Sequence, residues 1–283
     1  SHRPMKRLAI IVSLFITAVQ VKAQQATFKQ VYEPNTTYKF SNITKMHMNM
    51  APPASATNAK EMVMDVTVNT IATSATGARN KNNDVPFKIS TKMGDMSFTM
   101  NGNAMPMGNM PKADIVMYGR YTAAGKMELD SISGQKLSDS VRASMAKMMA
   151  NSQHNITFPD HPLKIGESFT QEAPFSMPIP GLTDANNKMN VKTTYKLLSV
   201  TGNIAVFDLL QTMDIDLSEA AKAKTLQIKA TGTGKMNFDT KKQFLSSMTD
   251  NIDMTMDINA GPSVINAKAA LSVDVKVDIT PKS

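Results

Sequence analysis

The sequence predicts an all-β protein made of two related antiparallel β-meander units, curved sheets or barrel-like in shape, joined by one amphipathic helix. Three observations support this fold class. Apolar and polar residues alternate over long stretches, one segment has helical spacing, and short motifs recur in the same order in both halves of the chain. Alternation with a period of two is typical of strands that bury one face of an antiparallel sheet.

Residues 1–23 have the pattern of a secretory signal peptide. The basic residues Lys6 and Arg7 precede the apolar stretch LAIIVSLFITAV, and small residues predict cleavage after Ala23. Residues 1–4 are interpreted as a non-native or misread start. A membrane-spanning helix needs about 20 apolar residues, and the apolar stretch LAIIVSLFITAV is shorter than that. We therefore expect no membrane span after cleavage.

Composition predicts the compartment and excludes one class of partner. The chain contains no cysteine, so no lipobox cysteine follows the signal, and a periplasmic or secreted location is expected. The net charge of +8 falls to +4 when the four basic residues of the signal segment are removed. That charge is spread along the chain and aromatic residues make up 6% of it. We therefore expect no nucleic-acid partner, which would need a basic stripe with stacking aromatics.

The mature chain is predicted to divide into a first β unit at residues 24–135, a helix and linker at residues 136–162 and a second β unit at residues 163–283. The helix is expected from Lys136 to Asn151, because apolar residues recur there at helical spacing. Strands are expected where alternation is clean, as in the segment where Ile252, Met254, Met256 and Ile258 alternate with Asp253, Thr255, Asp257 and Asn259.

The two units share short motifs, which predict a tandem duplication. GKMELDS and GKMNFDT are identical at four positions, namely Gly, Lys, Met and Asp. Two longer segments upstream of each motif are also similar, and the order is the same in both halves. The paired segments are residues 32–40 with 163–171, 61–77 with 188–202, and 125–131 with 234–240.

The signal peptide, the strand TTYKF followed by KMHMNM, the segment FPDHPLKIGESF and the GKMxFD motif resemble one family. It is a family of exported proteins from Bacteroidota that is classed as a domain of unknown function. The resemblance covers nearly the whole mature chain. It implies a location in the cell envelope and a β-rich fold, and it implies no catalytic residue.

The motifs of common enzymes are missing, so the protein is predicted not to be an enzyme and to need no cofactor. The sequence has no HExxH motif, no GxSxG elbow and no cysteine nucleophile. The stretch KATGTGKMNF lacks the first glycine and the Ser or Thr of a phosphate loop, and is interpreted as a hairpin. Asp160 and His161 precede a proline and are interpreted as part of a turn.

Methionine is abundant, at 24 residues, whereas tryptophan is absent. Methionine surfaces are soft and adapt to varied shapes, so we expect a non-catalytic envelope protein that binds an apolar or amphipathic small molecule, or an envelope protein, through a methionine-rich sheet face. The expected binding residues are Tyr38, Phe40, Met46, Met48, Met50, Met62, Met64, Met254 and Met256.

Two alternatives remain open from the sequence. Thioethers are soft ligands that suit Cu(I), and the segment MHMNM and the methionine-rich loop after it predict a periplasmic Cu(I) or Ag(I) site. Its ligands would come from Met46, His47, Met48, Met105, Met107 and Met110. The second alternative is a purely structural or interaction protein, in which the same apolar residues fill a solid core.

Overall fold

The structure, a computed structural model, shows an all-β chain. It describes residues 25–52, 60–105, 115–123, 127–133, 156–175, 188–216, 227–260 and 263–282. Within these ranges there are fourteen strands and no helix. The prediction of an all-β antiparallel fold is therefore confirmed, whereas the helix predicted from Lys136 to Asn151 lies outside the described residues.

In the first half of the chain, the first and the last strands are short and the strands between residues 36 and 100 are long. They are β1 (Gln25–Ala26), β2 (Thr36–Met50), β3 (Met62–Thr76), β4 (Val85–Met100), β5 (Asn103–Ala104), β6 (Ile115–Tyr121) and β7 (Met127–Ser133). Those of the second half are β8 (Leu163–Lys164), β9 (Ser168–Phe175), β10 (Lys188–Thr201), β11 (Ile204–Asp216), β12 (Gln227–Asp239), β13 (Phe244–Ala260) and β14 (Ser263–Pro281).

Twelve of these strands form one antiparallel sheet in the order β7-β6-β4-β3-β2-β14-β13-β12-β11-β10-β9, with β5 paired to β4. Each half is a meander, and the halves meet where β2 pairs with β14 without a register shift. The strands of the two predicted units therefore form one continuous sheet. A separate two-stranded ladder joins β1 to β8 and links the first half to the second again.

The two GKM motifs lie at different positions along their strands. Met127 is the first residue of β7, whereas Met236 lies near the end of β12, three residues before the strand finishes. Gly125 and Lys126 of the first motif lie outside the described residues, so the tandem duplication stays a prediction. The division into units at residues 24–135 and 163–283 stays a prediction.

One end of the sheet, here called the closed end, holds the core. It is the end where β2 begins and where the β10–β11 and β12–β13 turns lie. Two covering segments, residues 25–33 and 156–166, pack Phe28, Phe158 and Leu163 onto the sheet's apolar face there. The N–H of Ile156 donates to the side-chain oxygen of Gln30 at 3.0 Å, which ties the two segments together.

Aromatic rings fill the space beneath the covering segments. Phe207, Phe238 and Phe244 are completely buried, and Phe28 contacts the first two edge-on with ring centroids 5.2 and 5.8 Å away. Edge-to-face pairs of this kind add stability beyond the area they bury. Seven aromatic rings among the described residues are buried in this cluster, with Tyr38, Phe158 and Tyr195 as the others, and they close this end of the sheet without a tryptophan.

The sheet curves strongly around this core. Tyr32 stacks on Tyr121 of β6 with centroids 3.7 Å apart, and its ring also contacts Phe244 of β13 at 4.9 Å. Five interstrand steps separate β6 from β13, which in a flat sheet would place their backbones about 24 Å apart. Both strands reach the same ring because the sheet bends around it.

Candidate functional site

The apolar face of β2 continues beyond the core toward the opposite end of the sheet, here called the methionine end. Since β2 pairs with β3 and β14 without register shifts, its side chains alternate between faces along its whole length. Tyr38 and Phe40 therefore share a face with the three methionines of β2, as predicted.

Tyr38 and Phe40 nevertheless belong to the core. Tyr38 is 1% exposed, and its hydroxyl oxygen accepts the N–H of Glu33 at 2.7 Å. Burial raises the pKa of Tyr38 to about 12. Phe40 packs against the same aromatic cluster, with its ring 6.2 Å from that of Phe244. The structure thus places these two residues under the covering segments and away from the methionines.

The other seven expected binding residues lie on one face of three strands, β3, β2 and β13, with β14 between the last two. Met48 faces Met64 of β3 on one side and Ala269 of β14 on the other. One step further along, the row repeats with Met50, Met62 and Ala267. On the far side of β14, Met254 faces Ala269 and Met256 faces Ala267. Met46 faces Leu271 and lies nearer the core.

Small residues on β14 turn this surface into a groove. Ala267 and Ala269 are 3% and 9% exposed and form its floor, while Met48 and Met50 form one wall and Met254 and Met256 the other. We call these six residues the methionine groove. Two interstrand steps separate β2 from β13, so the walls stand about 10 Å apart at the backbone. All four wall methionines are partly exposed.

Three side chains on β4 extend the same face, although the sequence reasoning did not include them. Met100 pairs with Met64, Phe98 pairs with Val66, and Met96 occupies the next position on that face. The sequence did indicate this, because apolar and polar residues alternate with a period of two in the stretch MSFTM, residues 96–100. Ala267 and Ala269 carried no such signal, since alanine is only weakly apolar and their importance depends on their neighbours.

A polar row separates the groove from the aromatic core on the same face. It consists of Thr193 and Tyr195 of β10, Gln211 of β11 and Asp250 of β13. Asp250 is 5% exposed, and its Oδ1 atom has no hydrogen-bond partner among the described residues. Burial raises the pKa of Asp250 to about 6. Hydrogen bonds from the N–H of Asn251 and the side chain of Gln211 lower this pKa, but by less than burial raises it.

Two glycines of β12 make room for this carboxyl group. A Cβ atom on Gly234 would overlap the carbonyl oxygen of Thr249 and would lie 3.1 Å from Asp250 Oδ1. A Cβ atom on Gly232 would lie 3.1 Å from Gln211 Oε1. The stretch KATGTGKMNF, which the sequence suggested was a hairpin, is therefore the interior of β12. Its glycines allow close packing of neighbouring side chains and backbone.

The opposite face of the sheet is polar at this end. His47 Nδ1 lies 2.6 Å from Asp65 Oδ1, with both side chains about half exposed, and the Thr99 hydroxyl donates to the same carboxylate at 3.4 Å. Two shallow depressions of about 350 and 440 Å³ lie on this face around Ala270. Lys45 lines one of them and Lys268 the other.

The residues expected to bind copper do not meet on one face. His47 points away from Met46 and Met48, because adjacent residues of a strand face opposite sides. Met105 is 40% exposed and follows β5, with its N–H donating to the carbonyl of Phe98 at 2.9 Å. Met107 and Met110 lie outside the described residues. The thioethers that the structure does bring together are those of β2 and β3.

Asp160 and His161 lie in an exposed turn before β8. His161 Nε2 is 2.8 Å from Glu167 Oε1, and Glu167 also accepts the N–H of Lys164 at 2.9 Å. The hydrogen bond from the backbone N–H of Lys164 and, to a smaller extent, the contact with His161 hold the pKa of Glu167 below its usual value. Among the described residues no group of three His, Asp or Glu side chains is arranged to hold a metal ion. In the same ranges no helix is long and apolar enough to cross a membrane.

Comparison with known proteins identifies no family. No family model matches the chain, and no curated protein matches it. Among solved structures, the chain is similar to lipovitellin, in a study of lipid–protein interactions, with a TM-score of 0.48 and 8% identity over 89% of this chain. The chain spans 26% of that chain's length.

Two further structures are more distant. The translocator domain of the autotransporter NalP from Neisseria meningitidis has a TM-score of 0.22 and 10% identity, covering 87% of this chain and 89% of that one. The binding domain of botulinum neurotoxin serotype C1 has a TM-score of 0.11 and 10% identity, covering 88% and 84%.

Proposed function

We propose that the protein is an exported, non-catalytic envelope protein that binds an apolar or amphipathic small molecule in the methionine groove. The observation that carries this proposal is the contrast between the two ends of one sheet face. At the closed end, segments 25–33 and 156–166 bury the apolar side chains almost completely. At the methionine end, the same face presents thioethers that stay partly exposed, with Met62 at 39%.

The chemistry of the groove favours an elongated apolar ligand. Thioethers are unbranched and polarizable, so they adapt to irregular shapes better than branched side chains do. Removing apolar surface from water is worth roughly 25 cal/mol per Å², and both the groove and an alkyl chain would lose exposed surface on binding. Ala267 and Ala269 are covered by their neighbours, so a chain would lie along β14 between methionine walls that change rotamer to admit it.

The export and non-catalytic parts of the proposal rest on different evidence. Export rests on the signal pattern of residues 1–23. The non-catalytic part is supported by the surroundings of the described histidines, since His47 and His161 each face a single carboxylate at a solvent-exposed position.

The binding proposal is tested with protein purified from its native envelope. Native mass spectrometry and solvent extraction are expected to reveal a co-purifying amphiphile, and the neutral probe N-phenyl-1-naphthylamine is expected to fluoresce on binding. Met48→Glu places a charge in the groove and should abolish both signals. Met48→Leu conserves volume and should retain them.

Lys45→Glu provides the matched charge control, because Lys45 lies on the same strand but on the polar face and is exposed. It should leave ligand and probe binding unchanged. A ligand-free mass together with no probe fluorescence in the wild-type protein would reject the proposal. Equal loss of binding in Met48→Glu and Lys45→Glu would reject the groove as the site.

Cu(I) binding is the second candidate, and one observation favours it. Met48 pairs directly with Met64, and Met50 pairs with Met62, so four thioethers lie in two adjacent cross-strand pairs. Side chains in such pairs have Cβ atoms about 5 Å apart, within reach of a shared soft cation. This ligand set differs from the one expected from the sequence. It omits Met46, His47 and the methionines at positions 105, 107 and 110, and it adds Met50 of β2 and two methionines of β3.

A further inference from the structure

The polar row at the core side of the methionine groove contains a buried carboxylate oxygen without a partner in the part of the chain that the structure describes. Asp250 Oδ1 is inaccessible to solvent and accepts no hydrogen bond from any described residue. Leaving a buried carboxylate oxygen unpaired costs free energy, and such groups in native proteins need an explanation. A ligand that supplies the missing donor is one explanation, and the position of Asp250 supports it.

Asp250 lies on the groove's own strand and on its face. Ile252, Met254 and Met256 follow it at alternate positions of β13, so a line of apolar side chains runs from the carboxyl group to the groove wall. One interstrand step away, β12 presents Gly234 and Gly232 and therefore no side chain on this face. This gap in the row of side chains leads from the groove toward the carboxyl group, and in the structure Ile252, Gln211 and Asp250 Oδ1 fill it.

Two partly exposed side chains border this gap. Ile252 Cγ1 lies 3.0 Å from the position that a Cβ atom of Gly232 would occupy, and Gln211 Oε1 lies 3.1 Å from it. Both residues are partly exposed. A change of rotamer at Ile252 and Gln211 would open the gap.

We infer that Asp250, together with Gln211, binds the protonated amine head of a single-chain amphiphile whose tail lies in the methionine groove. This inference rests on the proposed function and adds the chemical class of the head group. An ammonium group has three donors and no acceptor, which matches a carboxylate oxygen without a partner and the amide oxygen of Gln211. Charge-assisted hydrogen bonds of this type are among the stronger ones in proteins.

Other groups around Asp250 do not compete for the amine. Among the described residues facing it, β12 presents Gly234, β14 presents Val273 and β11 presents Leu209 beside Gln211. The titratable neighbour is Tyr195 of β10, whose pKa is raised to about 12, chiefly by burial. Tyr195 therefore stays neutral between pH 5 and pH 8, and the carboxyl group alone changes charge in this interval.

The test compares dodecylamine with dodecanol as competitors of N-phenyl-1-naphthylamine, at concentrations below those of micelle formation. At pH 8 the amine is expected to bind the wild-type protein at least about tenfold more tightly than the alcohol, which corresponds to one charge-assisted bond. At pH 5 this preference should disappear, because Asp250 is then protonated while the amine keeps its charge. Asp250→Asn should lose the preference for the amine at pH 8.

The outcomes separate this inference from the proposed function. Equal affinity of the wild-type protein for amine and alcohol, with binding of both lost in Met48→Glu, would overturn the amine site and leave the groove intact. Binding of neither compound would overturn both. Should Asp250→Asn fail to fold, carboxyl ¹³C NMR of the wild-type protein decides the question. Dodecylamine is then expected to lower the pKa of Asp250 by about one unit, and an unchanged pKa would reject the inference.

Discussion

The substitution Asp250→Asn measures what the buried carboxyl group costs the folded protein. Burial raises its pKa from 3.8 to about 6, so the unfolded chain ionises at a lower pH than the folded protein. Stability is therefore lost as the pH rises from about 4 to about 6. Two pKa units at about 1.4 kcal/mol each correspond to a loss of about 3 kcal/mol above pH 6. Asparagine has a similar shape and does not ionise, so its variant should escape this loss.

Urea unfolding at pH 4 and pH 8 provides the assay. The variant is expected to match the wild-type protein at pH 4 and to exceed its free energy of unfolding by about 3 kcal/mol at pH 8. Asp253→Asn is the control, because Asp253 lies on the same strand but on the exposed polar face, and it should shift stability by less than about 0.5 kcal/mol at either pH. A stability difference for Asp250→Asn that is the same at both pH values would refute the reasoning.

Three further predictions follow from the site. Gly234→Ala should destabilise the protein by about 3 kcal/mol, because the added carbon overlaps a backbone carbonyl of β13. Gly232→Ala should destabilise it less, because the added carbon meets side chains. Equal urea midpoints for the two variants would contradict this expectation. If Cu(I) binds, the double variant Met48→Leu, Met64→Leu should lose the metal in native mass spectra while keeping its fold and its affinity for N-phenyl-1-naphthylamine. His161→Ala should leave a broad hydrolase screen unchanged from the wild-type background, and turnover that this substitution removes would show that the protein is an enzyme.

Much of the candidate site was predictable from local alternation. The period of two along β2 places Met46, Met48 and Met50 on one face whatever the strand pairs with, because successive side chains of any strand point to opposite sides. The same rule places Asp250 with Ile252, so the buried carboxyl group was also within reach of the sequence. The acidic residues after Ile252 lie on the polar face, and for that reason Asp250 was not expected on the apolar face.

Strand order and register could not be predicted in this way. β14 lies beside β2 although more than two hundred residues separate them in the chain, and this pairing creates the alanine floor between the methionine walls. Nothing in the local sequence of Ala267 or Ala269 indicates that role. The pairing follows from closing the sheet around the aromatic core, which is a property of the whole chain.

Local alternation establishes which side chains share a face, whereas tertiary packing establishes which of them are buried. Tyr38 and Met48 have the same periodicity on the same strand, yet Tyr38 is sealed beneath the covering segments while Met48 stays partly exposed. Periodicity reflects the geometry of one strand. Burial depends on contacts from segments 25–33 and 156–166, which are distant along the chain from most of the strands that they cover.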